Sequence, residues 1–496
     1  MSRRDIGFLV SLFLILFGVF VVFFTGILPM AEMTSLPVAT QTTMQTRSGV
    51  DNLDNLDVIE HIRYLFPPCI APKGKPVLLR NVRFFVFSHG WLGDRNWLEY
   101  LRSQVSEESI PAVSEVVSEV VSDDTKIITY CAMSNEKKTG DGVIMGGTRL
   151  AAEITELIDY NISLLRSDRS IDQHTVVSLS YIGFSLGGLY GRYAVYELFR
   201  NRLGPNRLGP NRLGGDQIRI QGYNVVLDKF VTIATPHLGI ASHTYIKIPR
   251  IAETAIGKII GRTGDDLART TDLITRMSTS DEFLQPLSRF NQRFLLSNSF
   301  ETDLLVPHAS AMFLNDNSDI LQHNLIVHLE KDIREQSMVA GVVRTNRTFA
   351  DPDPSATDPS ATDPSAVEGS VAANTGINEE NEQCSRRMDS LGWTKYIIDV
   401  RKTLTKIHGF GPTVCDGERD GTIELEDIQK NPHFTSGQLN RVLFQSCLGR
   451  REPSGHLMII GSDPMLSSTY YDAGRPIMDF LARLLVGSGP GIVGRS

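Results

Sequence analysis

Cysteine is scarce and scattered. The chain has 496 residues and five cysteines, Cys69, Cys131, Cys384, Cys415 and Cys447, with no C-x-x-C pair and no zinc-type spacing. An odd, dispersed set excludes a disulfide framework and a cysteine-built zinc site. At most a single pair, such as Cys415 with Cys447, would close in an oxidising compartment. Basic clusters are lacking too. No Lys/Arg-rich block interleaved with aromatics occurs, and 57 Asp and Glu against 49 Lys and Arg give a net charge of -8. A nucleic-acid binder carries a basic face, so that class is excluded. The acidity reads as a solvated surface and points to no particular protein partner. With 41% hydrophobic and 21% charged residues, the composition is that of a globular protein with room for one large or two modest domains.

Charge is also missing from one long stretch. Behind Arg3 and Arg4, residues 6 to 28 carry none before Pro29. About 20 apolar residues suffice to cross a bilayer, and a cleaved signal has a shorter core and a small-residue cleavage site. The run therefore predicts an uncleaved membrane anchor over residues 1–30. The Arg pair before it places the N-terminus in the cytosol and the rest, by the positive-inside rule, in the lumen of the endomembrane system. Sequons at Asn161-Ile-Ser and Asn346-Arg-Thr are compatible with that side. Residues 31–75 read as a linker, being rich in Thr, Met, Ser and Asn without periodicity up to residue 57. A single domain is expected over 76–496. Two low-complexity insertions interrupt it near 201–216 and 345–385, built on the repeats "RLGPNRLGPNRLGG" and "DPDPSATDPSATDPSA". Both are too poor in apolar residues to repay the entropy of ordering.

From Val77 onward, short apolar runs alternate with helical stretches. "VRFFVFSHG", "TKIITYCAM", "HTVVSLSYIGFS" and "LDKFVTIATPHLG" read as strands; "GGTRLAAEITELIDYNISLL" and "LGGLYGRYAVYELF" read as helices. That alternation implies crossover units and a largely parallel sheet.

Within it, "YIGFSLGGLYGRY" sets Ser185 between Gly183 and Gly187, after a strand and before a helix. A nucleophile elbow needs that setting, because the turn is too tight for side chains two residues either side of the serine. The following helix also points its N-terminal dipole at developing negative charge. Upstream, "FSHGWLGDRNW" follows an early strand. Acyl transfer needs two donors for the oxyanion, here the N–H of Leu186 and that of Trp91 in the early loop. His89 and Gly90 support this loop; His89 reads as a histidine bonding the loop backbone, because a base in this arrangement follows the nucleophile in the chain. Asp303, in "SNSFETDLLVP", is the acid, with Glu301 and Asp228 as fallbacks. His456 ("PSGHLMIIG") and His408 ("KIHGFG") compete as the base, whereas His237, His308, His323, His328 and His433 read as structural or exposed.

These pieces resemble the lipase-like serine esterase family that includes fungal monoacylglycerol lipases and plant serine esterases. "SHGWLG", "NEKKTGDGVIMGGTRLAAEI", "IGFSLGGLYGRYA", "FVTIATPHLG", "GRTGDDL", "SNSFETDLLVPHASA", "GWTKYIIDV" and "SGHLMIIG" run in family order across about residues 84–311 and 391–485. The resemblance implies an α/β-hydrolase fold: a mostly parallel, doubly wound sheet with a helical lid or cap insertion. It implies Ser185 as nucleophile, Asp303 as acid and His456 as base, acting on carboxyl esters of lipids without metal or organic cofactor. The chain departs from the family pattern in insertions at 201–216, about 315–390 and 402–445, and the last keeps His408 a rival. Phospholipids and a lipid-anchor inositol acyl ester are alternative substrates, and a non-catalytic membrane-anchored scaffold is the alternative outside enzymes. Two features stand apart. "DGERDGTIELED" (416–427) has oxygen ligands at EF-hand offsets, but glycines and Pro412 break the entering helix and its last ligand is Asp where a bidentate Glu belongs, so an acidic solvated loop is expected. Ile248, Ile251, Ala255, Ile256, Ile259 and Ile260 share one helical face, as either a pocket lid or ordinary core.

Overall fold

The structure, a computed structural model, describes residues 52–66, 78–108, 124–200, 217–220, 223–240, 261–298, 303, 305–314, 326–327, 338–349, 375–400, 454–461 and 468–487. Helix α1 (Asn52–Leu65) leads into β1 (Asn81–Ser88), α2 (Glu99–Glu108), β2 (Thr125–Cys131), α3 (Val143–Ser167), β3 (Val176–Phe184) and α4 (Leu186–Arg200). Strands β4 (Gln217–Ile220) and β5 (Tyr223–Ile233) precede α5 (Arg262–Leu267), α6 (Leu273–Thr279), α7 (Asp281–Ser288) and β6 (Gln292–Asn298). The remainder is α8 (His308–Met312), β7 (Ile326–Val327), β8 (Val339–Arg344), α9 (Thr375–Asp389), β9 (Thr394–Ile398), α10 (Ser454–Met458) and α11 (Ser468–Val486).

Among the described residues the strands form one nine-stranded sheet, ordered β2-β1-β3-β5-β6-β9-β8-β7, with β4 paired to β5. Neighbours from β2 to β9 run parallel, and β4, β7 and β8 pair antiparallel. A parallel sheet covered on both faces needs strands that are apolar throughout. β1 meets that demand: Phe84 and Val86 pack with α3 and α4 on one face, Phe85 and Phe87 with α2 and α11 on the other. The chain steps from β1 out to β2, then returns across β1 to β3. Such a reversal opens a crevice at the carboxyl ends of the strands.

Helix α3 buries Leu150, Ile154, Leu157, Ile158, Ile162 and Leu165 at helical spacing. Its N-terminus is held from far away in the chain. Val143 N–H donates to Asp266 Oδ2 at 2.8 Å across 123 residues, and Gly142 N–H donates to Thr263 Oγ1 at 2.9 Å. Burial pushes the Asp266 carboxyl above its ordinary range, against the pull of these donors toward the anion. Helix α1 falls inside the stretch read as linker. It buries Val58 and Ile62 in the α3 face of the core, and Tyr160 Oη donates to Phe66 O at 2.9 Å.

The expected membrane placement needs correction. Among the described residues no helix is long and apolar enough to cross a membrane. The 25-residue α3 has the length but carries Arg149, Glu153, Glu156, Asp159 and Arg166. The run at residues 6–28, on which the anchor and the lumenal domain rested, lies outside the described residues. The Asn161 sequon also loses its force: the side chain is 3% exposed and donates to Leu157 O within α3. A glycan acceptor has to be on the surface.

Removing the remote cap has a measurable consequence. Asp266→Ala is expected to lower unfolding free energy by about 1–2 kcal/mol, the range for loss of a helix N-terminal acceptor. Urea titration at pH 7.5 measures it, and an unchanged midpoint would refute the capping role.

Candidate active site

The site is assembled at the carboxyl edge of β1, β3, β5 and β6. Strand β3 ends at Phe184 and α4 begins at Leu186, so Ser185 alone makes the reversal, at φ 53°. The left-handed region is uncommon for a residue with a Cβ and points to a functional turn. Ser185 N–H donates to Ile233 O at 2.8 Å, tying the turn to β5. There is no space around it. A Cβ at Gly183 would lie 2.6 Å from Gly188 N, and one at Gly187 would lie 2.4 Å from Ser88 O. One at Gly90 would lie 2.7 Å from Ser185 Cβ and 3.2 Å from its Oγ.

The loop after β1 therefore presses its backbone on the serine. Gly93 N–H donates to Gly90 O at 3.2 Å, and Nδ1 of the buried His89 lies 2.9 Å from the same oxygen. Burial lowers the His89 imidazole below its ordinary value, so it is neutral and its Nδ1–H is the donor. A trans peptide points its N–H opposite its C=O. Turning Gly90 O toward His89 and Gly93 thus turns Trp91 N–H the other way. Leu186, as the first residue of α4, has an N–H beyond reach of intrahelical acceptors.

Asp303 and His456, 153 residues apart, meet: His456 Nδ1 lies 2.7 Å from Asp303 Oδ2. Both are buried, at 1% and 4% exposure. The ring of His456 stacks at a tilt on Phe184, the residue before Ser185, with centroids 4.8 Å apart. Asp303 Oδ1 accepts from Leu305 N and Val306 N at 3.0 and 2.9 Å. Asn298 Nδ2, at the end of β6, donates to Asp303 Oδ2 at 3.3 Å and to Gly455 O at 2.8 Å. The carrier helix α10 is pressed against α11, where a Cβ at Gly474 would lie 1.7 Å from Met458 O.

Other sequence candidates lie elsewhere. Asp228 sits within β5, paired with Lys229 at 2.9 Å and Arg83 at 3.7 Å, away from His456. His237 is fully buried, with Nε2 2.9 Å from Thr232 Oγ1 and Arg192 donating to its carbonyl at 2.9 Å. Glu301, His408, the acidic stretch 416–427, the apolar face at 248–260 and the insertion at 201–216 lie outside the described residues. Among the described residues no group of three or more His, Cys, Asp or Glu is placed to hold a metal ion. Asn298 is the residue the sequence reading missed; it stands inside "SNSFETDLL", where nothing in its spacing signals a role.

The mostly parallel sheet with flanking helices, turned at Ser185, fits the α/β-hydrolase class. Residues 80–318 match the model of the family described as "Putative serine esterase (DUF676)", and over that stretch the chain resembles the serine esterase family. No curated protein matches the chain. Among solved structures it is similar to phospholipase PlaB from Legionella pneumophila in complex with thio-NAD, at 13% identity and a TM-score of 0.27. That alignment covers 47% of this chain and 42% of the other, so the chain spans less than half of that relative, and at this score the likeness carries no weight.

Burial of His237 has its own signature. Desolvation, with Arg192 and Lys395 nearby, holds its imidazole well below the ordinary value, so below about pH 6.5 the unfolded chain binds a proton that the folded chain refuses. Its contribution to stability is present above that pH and is lost as pH falls. Glu153 and Asp266, whose carboxyls burial raises, pull the opposite way. The histidine is therefore isolated as a difference: between pH 6 and 5, wild type is expected to lose up to about 1.4 kcal/mol per pH unit more than His237→Gln. Denaturant titrations with parallel pH slopes for the two would overturn this.

Proposed function

We propose that the chain is a serine hydrolase of lipid carboxyl esters, working through an acyl-enzyme within the domain 76–496. The observation that carries this reading is the left-handed turn at Ser185, with the buried Asp303–His456 pair beside it at the same sheet edge. The serine esterase family match over 80–318 supports a hydrolase.

In this reading His456 takes the proton from Ser185 Oγ as the oxygen attacks the acyl carbonyl, and Asp303 holds the imidazole tautomer and stabilises the imidazolium. Leu186 and Trp91 N–H groups receive the oxyanion. The C–O bond of the ester breaks, and His456 returns its proton to the departing alcohol. Water, deprotonated by His456, then attacks the acyl-enzyme, releasing the carboxylic acid and restoring Ser185. The glycines at 90, 183 and 187 serve this chemistry by letting the β1 loop and the start of α4 close on Ser185 where side chains would not fit.

A lipid ester is favoured by the rim. Ile144 and Met145, in the first turn of α3, are 46% and 41% exposed, and Leu92 beside the Trp91 loop is 39% exposed. In a parallel sheet, helices that follow strands begin at the carboxyl edge, the edge that carries Ser185. Apolar side chains left in water at that edge suit a hydrocarbon chain entering the site.

A fluorophosphonate probe is expected to label the wild-type protein at Ser185 and to leave Ser185→Ala unlabelled. A folded wild-type chain that stays unlabelled would favour a non-catalytic scaffold and sink the hydrolase reading. For the substrate, Ile144→Asp/Met145→Asp is expected to cut kcat/KM for a long-chain monoacylglycerol by about tenfold, the scale of losing one or two methylene contacts or more. Turnover of a short soluble ester is expected to stay within about twofold, because it lacks that chain. Equal losses on both esters would remove the rim from substrate binding, and a phospholipid preferred over monoacylglycerol in the same panel would replace the head group proposed.

A further inference from the structure

We infer that Asn298 is the positioning residue that sets the acid against the base, a role that rests on the triad reading above. Asn298 is the last residue of β6 and is 1% exposed. Its amide has two hydrogens, and both are used. One goes to Asp303 Oδ2 at 3.3 Å, the oxygen that faces His456 Nδ1; the other goes to the carbonyl of Gly455, the neighbour of His456, at 2.8 Å. A single rigid group thus fixes the carboxylate on one chain segment and the backbone that carries the imidazole on another, 157 residues from the amide itself.

The other supports of the site lack this double reach. Leu305 N–H and Val306 N–H hold Asp303 Oδ1, which fixes the carboxylate locally but says nothing about where His456 lies. Gly474 lets α10 settle on α11, which places the histidine's helix but does not touch the acid. Asn298 bonds to both sides. Removing its amide strips one donor from Oδ2 and leaves the Gly455 carbonyl only the longer bond from Ile459 N–H at 3.3 Å, so the hold between the two segments is loosened. Catalysis is steep in such displacements: misplacement by about 1 Å costs on the order of 100-fold.

The test is a double-mutant cycle on the full chain with a soluble ester. Asn298→Ala is expected to lower kcat by about 10- to 100-fold with KM changed less than about threefold, because the loss falls on the transition state. Asp303→Asn is expected to lower kcat by more, about 10⁴-fold. Adding Asn298→Ala to Asp303→Asn is expected to cost clearly less than it does in the wild type, since only the hold on Gly455 is then left to lose. Wild-type kcat in Asn298→Ala, or losses that multiply in the double variant, would overturn the positioning role while leaving the triad standing. Wild-type kcat in Asp303→Asn would bring down the triad reading and this role together. If thermal unfolding shows that Asn298→Ala is not folded, Asn298→Ser takes its place, with a hydroxyl donor of shorter reach; an intermediate kcat and the same non-additivity support the role, and additive losses reject it.

Discussion

A chain reversal with no room for side chains governs this architecture. One residue, Ser185, turns β3 into α4 in a left-handed conformation that costs a residue with a Cβ on the order of 1 kcal/mol or more. The turn persists because everything around it is pinned. Its N–H is bound to Ile233 at the end of β5, its carbonyl accepts from Gly188 N–H at 3.1 Å, and the β1 loop lies against it at Gly90. Each neighbour is glycine for the same reason: Gly183 abuts the start of α4, Gly187 abuts the carbonyls of Ser88 and His89, and Gly188 abuts the Thr235 side chain. The ends of β1, β3 and β5 and the N-terminus of α4 therefore meet around one residue. The strain is local and the support is global, which is how a rare backbone conformation stays populated.

Asp303 and His456 are brought to the same sheet edge by a longer route. Asp303 follows β6, whose place in the sheet is fixed by β5 on one side and β9 on the other. His456 sits on the short α10, which has little of its own to hold it and leans on α11. Helix α11 is in turn anchored from β1: Arg83 donates to Leu485 O and Val486 O at 3.1 and 3.2 Å, capping its C-terminus, while Ile477, Leu481 and Leu485 fill the core below Phe85 and Phe87. The imidazole is thus positioned by the same strand whose loop presses on the serine. Errors at one end of β1 would be felt at both members of the pair.

How much of this was legible follows from where each demand is felt. The turn at Ser185 was readable because its requirements fall within five residues of sequence, from Gly183 to Gly187. The parallel sheet was readable because strands covered on both faces must be apolar at every position, as β1 is. Asp303 was separable from Asp228 only by context, and the structure gives Asp228 other business: it faces Lys229 and Arg83. The sequon at Asn161 gave no sign of burial because it is a three-residue pattern, while burial is decided by the whole of α3. Asp266 and Asn298 stand inside the quoted stretches "GRTGDDL" and "SNSFETDLLVPHASA", but nothing there signals their roles. Val143, held by Asp266, lies 123 residues away and Gly455, held by Asn298, lies 157 away, and neither an aspartate before a helix end nor an asparagine at a strand end is unusual in composition. The membrane placement rested chiefly on residues 6–28 and the Arg pair before them, which lie outside the described residues.

The donors around Asp303 explain why an amide rather than a cation suits position 298. The carboxylate takes hydrogen bonds from Leu305 N, Val306 N, Asn298 Nδ2 and His456 Nδ1. A lysine or arginine in the place of Asn298 would also satisfy Oδ2, and more strongly. It would bring a positive charge within a few ångströms of the imidazole, though, and like charge disfavours an imidazolium there. Neutral donors fix the carboxylate in space and leave its negative charge uncancelled. The fold places its buried cations elsewhere: Arg192 bonds to His237 O, Arg293 bonds to the carbonyls of Ser288 and Gly392, and Lys395 bonds to Met312 O. A carboxylate held otherwise by amides keeps its field for the histidine, as the role proposed for the pair requires.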